Sequence, residues 1–207
     1  MNFDAVYSFG SYEGPLRELI HLFKYAKVES LAHPLGRMLA DAVPLDERFD
    51  VAIAMPMHWR KRWQRGFNQA ELLSEEAAKR YGLKLSLCLR RKRATKAQAG
   101  LSESERKQNL KDSFFVSKPQ EVAGKHVLLI DDVFTTGSTL RAATAALKEA
   151  GAARVVALTL ARVDRIPFDL GGSAGSTRDL RRMTKSFASI DSGAATDQAP
   201  PLTVGEL

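Results

Sequence analysis

The chain has 207 residues, of which 44% are hydrophobic and 27% charged, and its formal net charge is +7. This balance excludes a disordered or collagen-like chain, and the length suits one α/β domain with a real core. Its longest apolar runs are far shorter than the roughly 20 residues that span a bilayer, and no signal pattern opens the chain. We expect a cytoplasmic protein without a membrane partner, whose positive charge suits nucleic acid or a highly phosphorylated small molecule.

The first half of the chain predicts helices around one short buried strand. Apolar residues recur at helical spacing in two N-terminal stretches, first Leu16, Leu19, Ile20 and Phe23, then Leu35, Met38, Leu39 and Val43. A strand over 50–55 is predicted to end at Pro56, where a basic loop begins. A helix over 68–81 is predicted next, because Asn68 can cap its start and Gly82 can end it.

The second half alternates strands and helices. A strand is predicted over 83–89, with Cys88 as a core residue, and the charged stretch 90–110 is predicted to be a long surface loop. The chain returns through 114–116 to a strand over 126–130, a helix over 138–150 and a strand over 153–161. Strand, helix and strand with short links indicate a doubly wound α/β parallel sheet. Ligands bind such sheets at the carboxyl ends of the strands, here after Met55 and after Ile130.

The most informative segment runs from Val127 to Thr139. Four apolar residues form a buried strand, and two adjacent carboxylates, Asp131 and Asp132, follow it. A small hydroxylated turn then leads into a helix: Thr135, Thr136, Gly137, Ser138 and Thr139. Such a turn can surround a phosphate, and the carboxylates can accept hydrogen bonds from ribose hydroxyls or hold Mg²⁺. A ribose 5-phosphate combines both features, although an ordinary strand and a Ser-capped helix would also fit the shorter pattern.

The whole segment closely resembles the 5-phosphoribosyl-1-pyrophosphate (PRPP) signature of type I phosphoribosyltransferases. A second block runs Arg65-Gly66-Phe67-Asn68-Gln69-Ala70-Glu71-Leu72-Leu73, and with the N-terminal stretch 12–24 it resembles the ComF family of competence-associated phosphoribosyltransferase-like proteins. The resemblance covers about residues 7–165. Neither a Walker loop nor a dinucleotide-binding glycine pattern is present.

This resemblance implies a flavodoxin-like doubly wound sheet of the type I phosphoribosyltransferase fold with a small N-terminal hood. The implied organisation is a helical hood segment over 1–45, a phosphoribosyltransferase-like domain over 46–165 and, from composition, a disordered tail over 166–207. The carboxylates Asp131 and Asp132 are the expected catalytic and metal-binding residues, with Mg²⁺ as cofactor. The remaining expected site residues are those for pyrophosphate, His58, Arg60 and Arg62, and those of a flexible loop that closes over the ligand, Arg91, Arg93 and Lys96.

Two departures from the family pattern stand out. The four-cysteine zinc element that generally begins family members cannot form, because Cys88 is the single cysteine of this chain. Thr135 occupies the position at which hypoxanthine-guanine enzymes carry an aspartate base, and a threonine hydroxyl cannot take that role at neutral pH. The acceptor of the ribose phosphate therefore cannot be read from the sequence.

Two functions of different classes remain open. The first is a phosphoribosyltransferase that transfers ribose phosphate from PRPP to a nitrogen acceptor. The second is a non-catalytic competence or DNA-uptake factor that binds single-stranded DNA or a helicase partner, because Trp59, Trp63 and Phe67 lie beside basic residues. Packing of the two tryptophans against the domain is the plainer interpretation of these rings. Self-association into a homodimer is also left open.

Overall fold

The computed structural model describes residues 3–26, 28–92 and 113–163. Arg93 and Lys96 of the predicted flexible loop, and the predicted tail, lie outside these ranges. None of the helices in the described part of the chain is long and apolar enough to cross a membrane.

Seven strands and five α-helices occupy the described ranges. The strands are β1 (Ala5–Ser11), β2 (Val51–Ala54), β3 (Lys84–Ser86), β4 (Leu89–Arg91), β5 (Phe114–Val116), β6 (His126–Phe134) and β7 (Arg154–Arg162). The helices are α1 (Gly14–Tyr25), α2 (Ala32–Ala40), α3 (Trp59–Arg65), α4 (Gln69–Tyr81) and α5 (Ser138–Glu149). Single 3₁₀ turns lie at Glu29–Leu31 and Pro119–Glu121.

Five strands form one parallel sheet in the order β1-β7-β6-β2-β3, which confirms the predicted doubly wound α/β class. β4 and β5 form a separate antiparallel pair. The neighbours of β6 differ in length. β2 accompanies β6 as far as Ile130, whereas β7 continues beside it to Phe134. The last four residues of β6 therefore have a strand on one side only.

Both faces of the sheet are covered, so its central strand is apolar throughout its paired length. Leu128 and Ile130 of β6 pack in the same core as α1, α2 and α4. Val127 and Leu129 belong to the opposite core, which includes the buried face of α5. All four side chains are fully buried, and each such burial stabilises the fold by about 1.5–3 kcal/mol.

The end signals of α4 are confirmed in detail. Asn68 accepts a hydrogen bond from the Ala70 N–H at 3.2 Å and is the N-cap, and Gly82 ends the helix in the left-handed conformation at φ 62°. The apolar stripe of α1 is also as predicted, because all four of its predicted members are buried. Cys88 is buried as predicted, although it lies between β3 and β4 rather than within a strand.

Other predictions from the pattern were wrong. Residues 1–45 contain an edge strand, β1, in addition to the helices, and the basic residues after Met55 form the short helix α3 rather than a loop. The single strand predicted over 83–89 is two strands, separated by the 43%-exposed Leu87 and by Cys88. β6 extends four residues past its predicted end at Ile130, because its pairing with β7 continues.

Candidate functional site

The two predicted carboxylates lie within β6, just past the point where β2 stops. Asp131 pairs in register with Thr159 of β7, and Ile130 is the last residue of β6 paired with β2. Because β2 has already ended, no strand of the described ranges pairs with the aspartates on the β2 side. The two aspartates therefore lie past the carboxyl end of β2, as predicted, but they still lie beside β7, which pairs with β6 as far as Phe134.

The surroundings of the two aspartates differ. Asp132 Oδ2 lies 2.9 Å from Lys24 Nζ at the end of α1, and both side chains are largely buried. Asp131 Oδ1 instead accepts a hydrogen bond from the Asp132 N–H at 2.9 Å. Burial, and then the charge of Asp132, raise the pKa of Asp131 to about 7, against the smaller opposing effects of that hydrogen bond, Lys24 and Lys61.

The predicted phosphate loop forms a tight hydroxyl-bearing turn before α5. Gly137 has φ 70°, and a Cβ there would lie 2.8 Å from Phe134 Cε2. The hydroxyls of Thr136 and Ser138 are 2.9 Å apart. Arg141 Nη2 donates to the Thr136 carbonyl at 2.7 Å and so braces the turn from the first part of the helix. Thr135 and Thr136 are exposed, whereas Gly137 is buried.

A pocket of about 180 Å³ joins the aspartates to basic residues. Its acidic side chains are those of Asp131 and Asp132, and Thr139 adds a hydroxyl group. The cationic residues that line the same pocket come from α3 and β4 and are Lys61, Arg65 and Arg91; His58 lines it as well. One cleft therefore contains carboxylates, which can bind hydroxyl groups or a cation, and cationic side chains, which can bind phosphate groups. Of the predicted phosphate loop, Thr139 alone lines this pocket.

The predicted pyrophosphate residues occupy different positions. His58 lines the pocket and also caps α3, since its Nδ1 accepts from the Arg60 N–H at 3.3 Å. Burial and the nearby charge of Arg91 lower the pKa of His58, which favours its neutral form. Arg60 stacks over Trp59 at 5.2 Å from the ring centre, and Arg62 pairs with Glu71 at 2.9 Å. Neither arginine lines the aspartate pocket.

Sequence reasoning did not single out Lys61 as a site residue, nor Arg65 beyond its place in the family motif. Both lie on the aspartate pocket, four residues apart and therefore on one face of α3. A helical interpretation of the residues after Met55 would have found them. Arg91, which was assigned to the flexible loop, lies in β4 with its guanidinium 5.4 Å from the Phe114 ring centre.

The Arg-Gly-Phe-Asn-Gln block connects the helices around this pocket. The Gly66 N–H bonds the Arg62 carbonyl at 2.8 Å and ends α3 at φ 88°. Asn68 Nδ2 donates to the Met55 carbonyl at 3.1 Å and thereby ties the start of α4 to the end of β2. Gln69 accepts from Arg65 at 3.2 Å and donates to the Phe23 carbonyl of α1 at 3.5 Å. The block thus holds α3 against both the sheet and α1.

A dedicated metal cage is absent from the described ranges, where no group of three or more His, Cys, Asp or Glu side chains is placed to hold an ion. The donor set that is present consists of two adjacent carboxylates, one of them paired with a lysine. Such a pair fits Mg²⁺ only together with further oxygens, from bound waters or from a ligand, because Mg²⁺ requires six oxygen donors.

The fold corresponds to a known class of domain. The family described as the phosphoribosyl transferase domain matches residues 67–169. Among solved structures, the allosteric regulatory enzyme of purine biosynthesis superposes with a TM-score of 0.50 at 21% identity, over 76% of this chain and 33% of that enzyme. The chain therefore spans about a third of that enzyme, and the likeness concerns the fold. The domain has the type I phosphoribosyltransferase fold.

Full-length relatives define the family more closely. The DNA utilization protein YhgH of Salmonella typhi is 36% identical over 75% of this chain and 70% of that protein. Competence protein F of Haemophilus influenzae is 33% identical over 78% of this chain and 74% of that protein. This chain belongs to the ComF family of competence-associated, phosphoribosyltransferase-like proteins, as the motifs predicted.

Proposed function

We propose that the protein binds PRPP together with Mg²⁺ in the aspartate pocket and transfers ribose phosphate to a nitrogen acceptor. One observation carries the proposal: a single cleft is lined by the carboxylates of Asp131 and Asp132 and by three cationic side chains. PRPP complements this lining, because its ribose hydroxyls can donate hydrogen bonds to the carboxylates while its anionic pyrophosphate meets the cations.

The 5-phosphate end is assigned to the turn before α5. Thr136 and Ser138 present hydroxyls there, and the positive end of a twelve-residue helix begins at Ser138. A phosphate at a helix N-terminus is stabilised by N–H groups and by the helix dipole. Because Thr139 reaches the aspartate pocket, a ligand can contact the turn and the carboxylates at once.

The pyrophosphate end is assigned to Lys61, Arg65 and Arg91, in place of Arg60 and Arg62. In the proposed reaction the bond from ribose C1 to the pyrophosphate oxygen breaks and its electron pair leaves with pyrophosphate. The acceptor nitrogen then bonds C1 with its lone pair and releases its proton to solvent. Fixed cations around the leaving oxygens stabilise the charge that develops there, which is the largest catalytic contribution expected of this site.

Mg²⁺ would be held by Asp131 and by the oxygens of the ligand. Bound there, it would neutralise pyrophosphate charge as the leaving group departs. Asp132, whose carboxylate is already paired with Lys24, is better suited to accept hydrogen bonds from the ribose hydroxyls.

Calorimetric titration with PRPP, with and without Mg²⁺, tests this function. We expect the double variant Asp131→Asn and Asp132→Asn to lose Mg²⁺-dependent binding. The matched control is Asp46→Asn together with Asp50→Asn, two exposed aspartates elsewhere on the chain that should leave binding unchanged. Wild-type protein that fails to bind PRPP, or a double variant with wild-type affinity, would exclude the proposal.

Exposed aromatic residues support a second candidate function, the binding of single-stranded DNA. Trp63 is 87% exposed and Trp59 is 56% exposed, on a helix that also carries four basic residues. The plainer interpretation, that these rings pack against the domain, does not fit such exposure. Bases stack on exposed rings with about 1–3 kcal/mol per base, and basic residues contact the phosphates. The names of the relatives, which refer to DNA utilization and competence, are in keeping with such a role.

Fluorescence titration with an oligonucleotide at two salt concentrations tests the second function. We expect Trp63→Ala to weaken binding about fivefold or more, the loss of one stacked base. Leu45→Ala is the control, since Leu45 is 95% exposed but apolar and aliphatic. Equal affinity of both variants for the oligonucleotide would remove α3 from any DNA-binding surface.

A further inference from the structure

Lys24 forms the ion pair that sets the two site aspartates apart. Its ammonium lies 2.9 Å from Asp132 Oδ2, and the two side chains are only 13% and 17% exposed. An ion pair so well shielded from water is more persistent than a surface pair, because removing one partner leaves the other charge uncompensated. The pair is thus a lasting feature beside the pocket, which Asp132 lines.

The surrounding contacts fix the position of Lys24. It lies in the last turn of α1, where a cation interacts favourably with the helix dipole. The preceding residue, Phe23, is fully buried, and its ring lies tilted against the Phe67 ring at a centroid distance of 5.7 Å. The Phe23 carbonyl also accepts the hydrogen bond from Gln69. The end of α1 is therefore anchored immediately before the lysine.

This lysine stands where a cation would otherwise be drawn to the second carboxylate. A compact ammonium already neutralises Asp132, and a divalent ion placed on the same oxygen would be repelled by it. Asp131 differs, because its hydrogen bond comes from a neutral backbone N–H. The described residues offer no third carboxylate to complete a metal site. The two adjacent aspartates are therefore chemically unequal.

We propose that Lys24 is the built-in counter-ion of Asp132 and thereby determines which aspartate takes a divalent cation. Asp131 is left for the metal, and Asp132 is kept as an oriented acceptor for the ribose hydroxyls. Lys24 acts through Asp132 and is a positioning residue. This inference rests on the proposed PRPP-binding function and adds a division of roles within the same site.

The test uses Mn²⁺ alone, followed by electron paramagnetic resonance, so that no ligand phosphate is needed. We expect weak binding by the wild type and about tenfold or more tighter binding by Lys24→Met, since a repelling unit charge close to the ion is removed. Lys24→Arg keeps the charge and should resemble the wild type. Lys148→Met is the matched control, because Lys148 pairs with Asp4 at the same distance of 2.9 Å on another part of the surface.

A second measurement guards against misfolding of Lys24→Met. The variant Lys24→Met with Asp132→Asn replaces both charges and leaves no unpaired ion. We expect its Mn²⁺ affinity to stay within about twofold of the wild type, since Asp132 is not the metal ligand, whereas Asp131→Asn should lose Mn²⁺ binding. Unchanged or undetectable Mn²⁺ affinity in folded Lys24→Met, or a large loss of affinity in the double variant, overturns the inference.

The outcome also separates this inference from the proposed function. If the wild type fails to bind PRPP in the presence of Mg²⁺, the proposed function fails whatever Lys24 does to Mn²⁺. If PRPP binds and the Lys24 variants leave Mn²⁺ affinity unchanged, the inference alone is wrong.

Discussion

A comparison of Gly137 with Gly124 separates two effects of an added Cβ: the strain of a positive φ, and the displacement of side chains around the turn before α5. Gly137 and Gly124 have nearly identical φ angles, 70° and 71°. A Cβ added at Gly124 would meet nothing within 4 Å, whereas one at Gly137 would lie 2.8 Å from Phe134 and 3.0 Å from Arg141. Alanine at either position carries the same conformational cost, and only Gly137→Ala also disturbs neighbouring side chains.

The size of the two effects follows from these distances. Holding alanine at positive φ costs about 1–2 kcal/mol, which is the whole expected loss for Gly124→Ala. At Gly137 the ring of Phe134 must also shift, although it packs edge-on against Phe3 at 6.2 Å, and overpacking of this kind adds about 1–3 kcal/mol. The guanidinium of Arg141 must move as well, and with it the hydrogen bond to the Thr136 carbonyl.

Urea unfolding and PRPP calorimetry measure both consequences. We expect Gly137→Ala to be less stable than Gly124→Ala by about 1–3 kcal/mol. It should also bind PRPP at least about tenfold more weakly, a loss of 1.4 kcal/mol, while Gly124→Ala binds as the wild type does. Equal stability of the two variants, together with unchanged PRPP affinity, would refute the assignment of a phosphate to this turn.

Three further predictions concern stability. Because the pKa of Asp131 is raised, the folded protein keeps a proton that the unfolded chain has lost. The stability of the wild type in metal-free buffer should therefore fall, relative to that of Asp131→Asn, as the pH rises from 3.8 to about 7. Parallel stability profiles of the two proteins would contradict this. The hydrogen-bonded ion pair with Arg154 lowers the pKa of Glu47, so Glu47→Gln should destabilise the protein at neutral pH, and its gap to the wild type should close as the pH falls below 4.5. A constant gap would show that the pair contributes nothing. Gly36→Ala would place a Cβ in overlap with the side chain of Glu76, so its unfolding free energy should fall by about 1–3 kcal/mol or more, and an unchanged melting temperature would mean that α2 and α4 separate easily.

Local signals were sufficient where a residue acts on its own neighbours. The cap and stop of α4 depend on Asn68, Gly82 and the backbone beside them, so the sequence pattern predicts them well. The stripe of α1 is equally clear, because all of its apolar positions face one core. The carboxylates were found in the same way, since they directly follow the most apolar strand of the chain.

Elements without an apolar face were missed. None of the seven residues of α3 is buried, so the segment has no hydrophobic period that could reveal a helix. β1 is an edge strand with no residue buried, and its serines and Gly10 are unusual in strands. The error at α3 also affected the site. In a loop any arginine could meet pyrophosphate, whereas helical geometry places Lys61 and Arg65 together at the pocket.

Tertiary pairing decided the remaining differences. Nothing in the residues of β6 indicates that it continues past Ile130, because that extension depends on the length of β7 beside it. The pairing of Lys24 with Asp132 joins residues more than a hundred positions apart, and no local pattern predicts it. Such contacts appear only when the chain is folded, and here they determine how the site carboxylates differ.

The staggered end of the sheet has a consequence for how this site can change over evolution. Asp131 and Asp132 are part of the β6 and β7 ladder, and the adjoining residues of that ladder fill both cores. This part of the pocket therefore tolerates little substitution. Two of the three cationic residues, Lys61 and Arg65, stand on α3, a short exposed helix with no core residue that is joined to the next helix through Gly66 and Asn68. Substitutions on α3 alter the charges at the pocket at little cost in stability. If the proposed function holds, the residues assigned to the pyrophosphate can therefore change more readily than those assigned to the ribose.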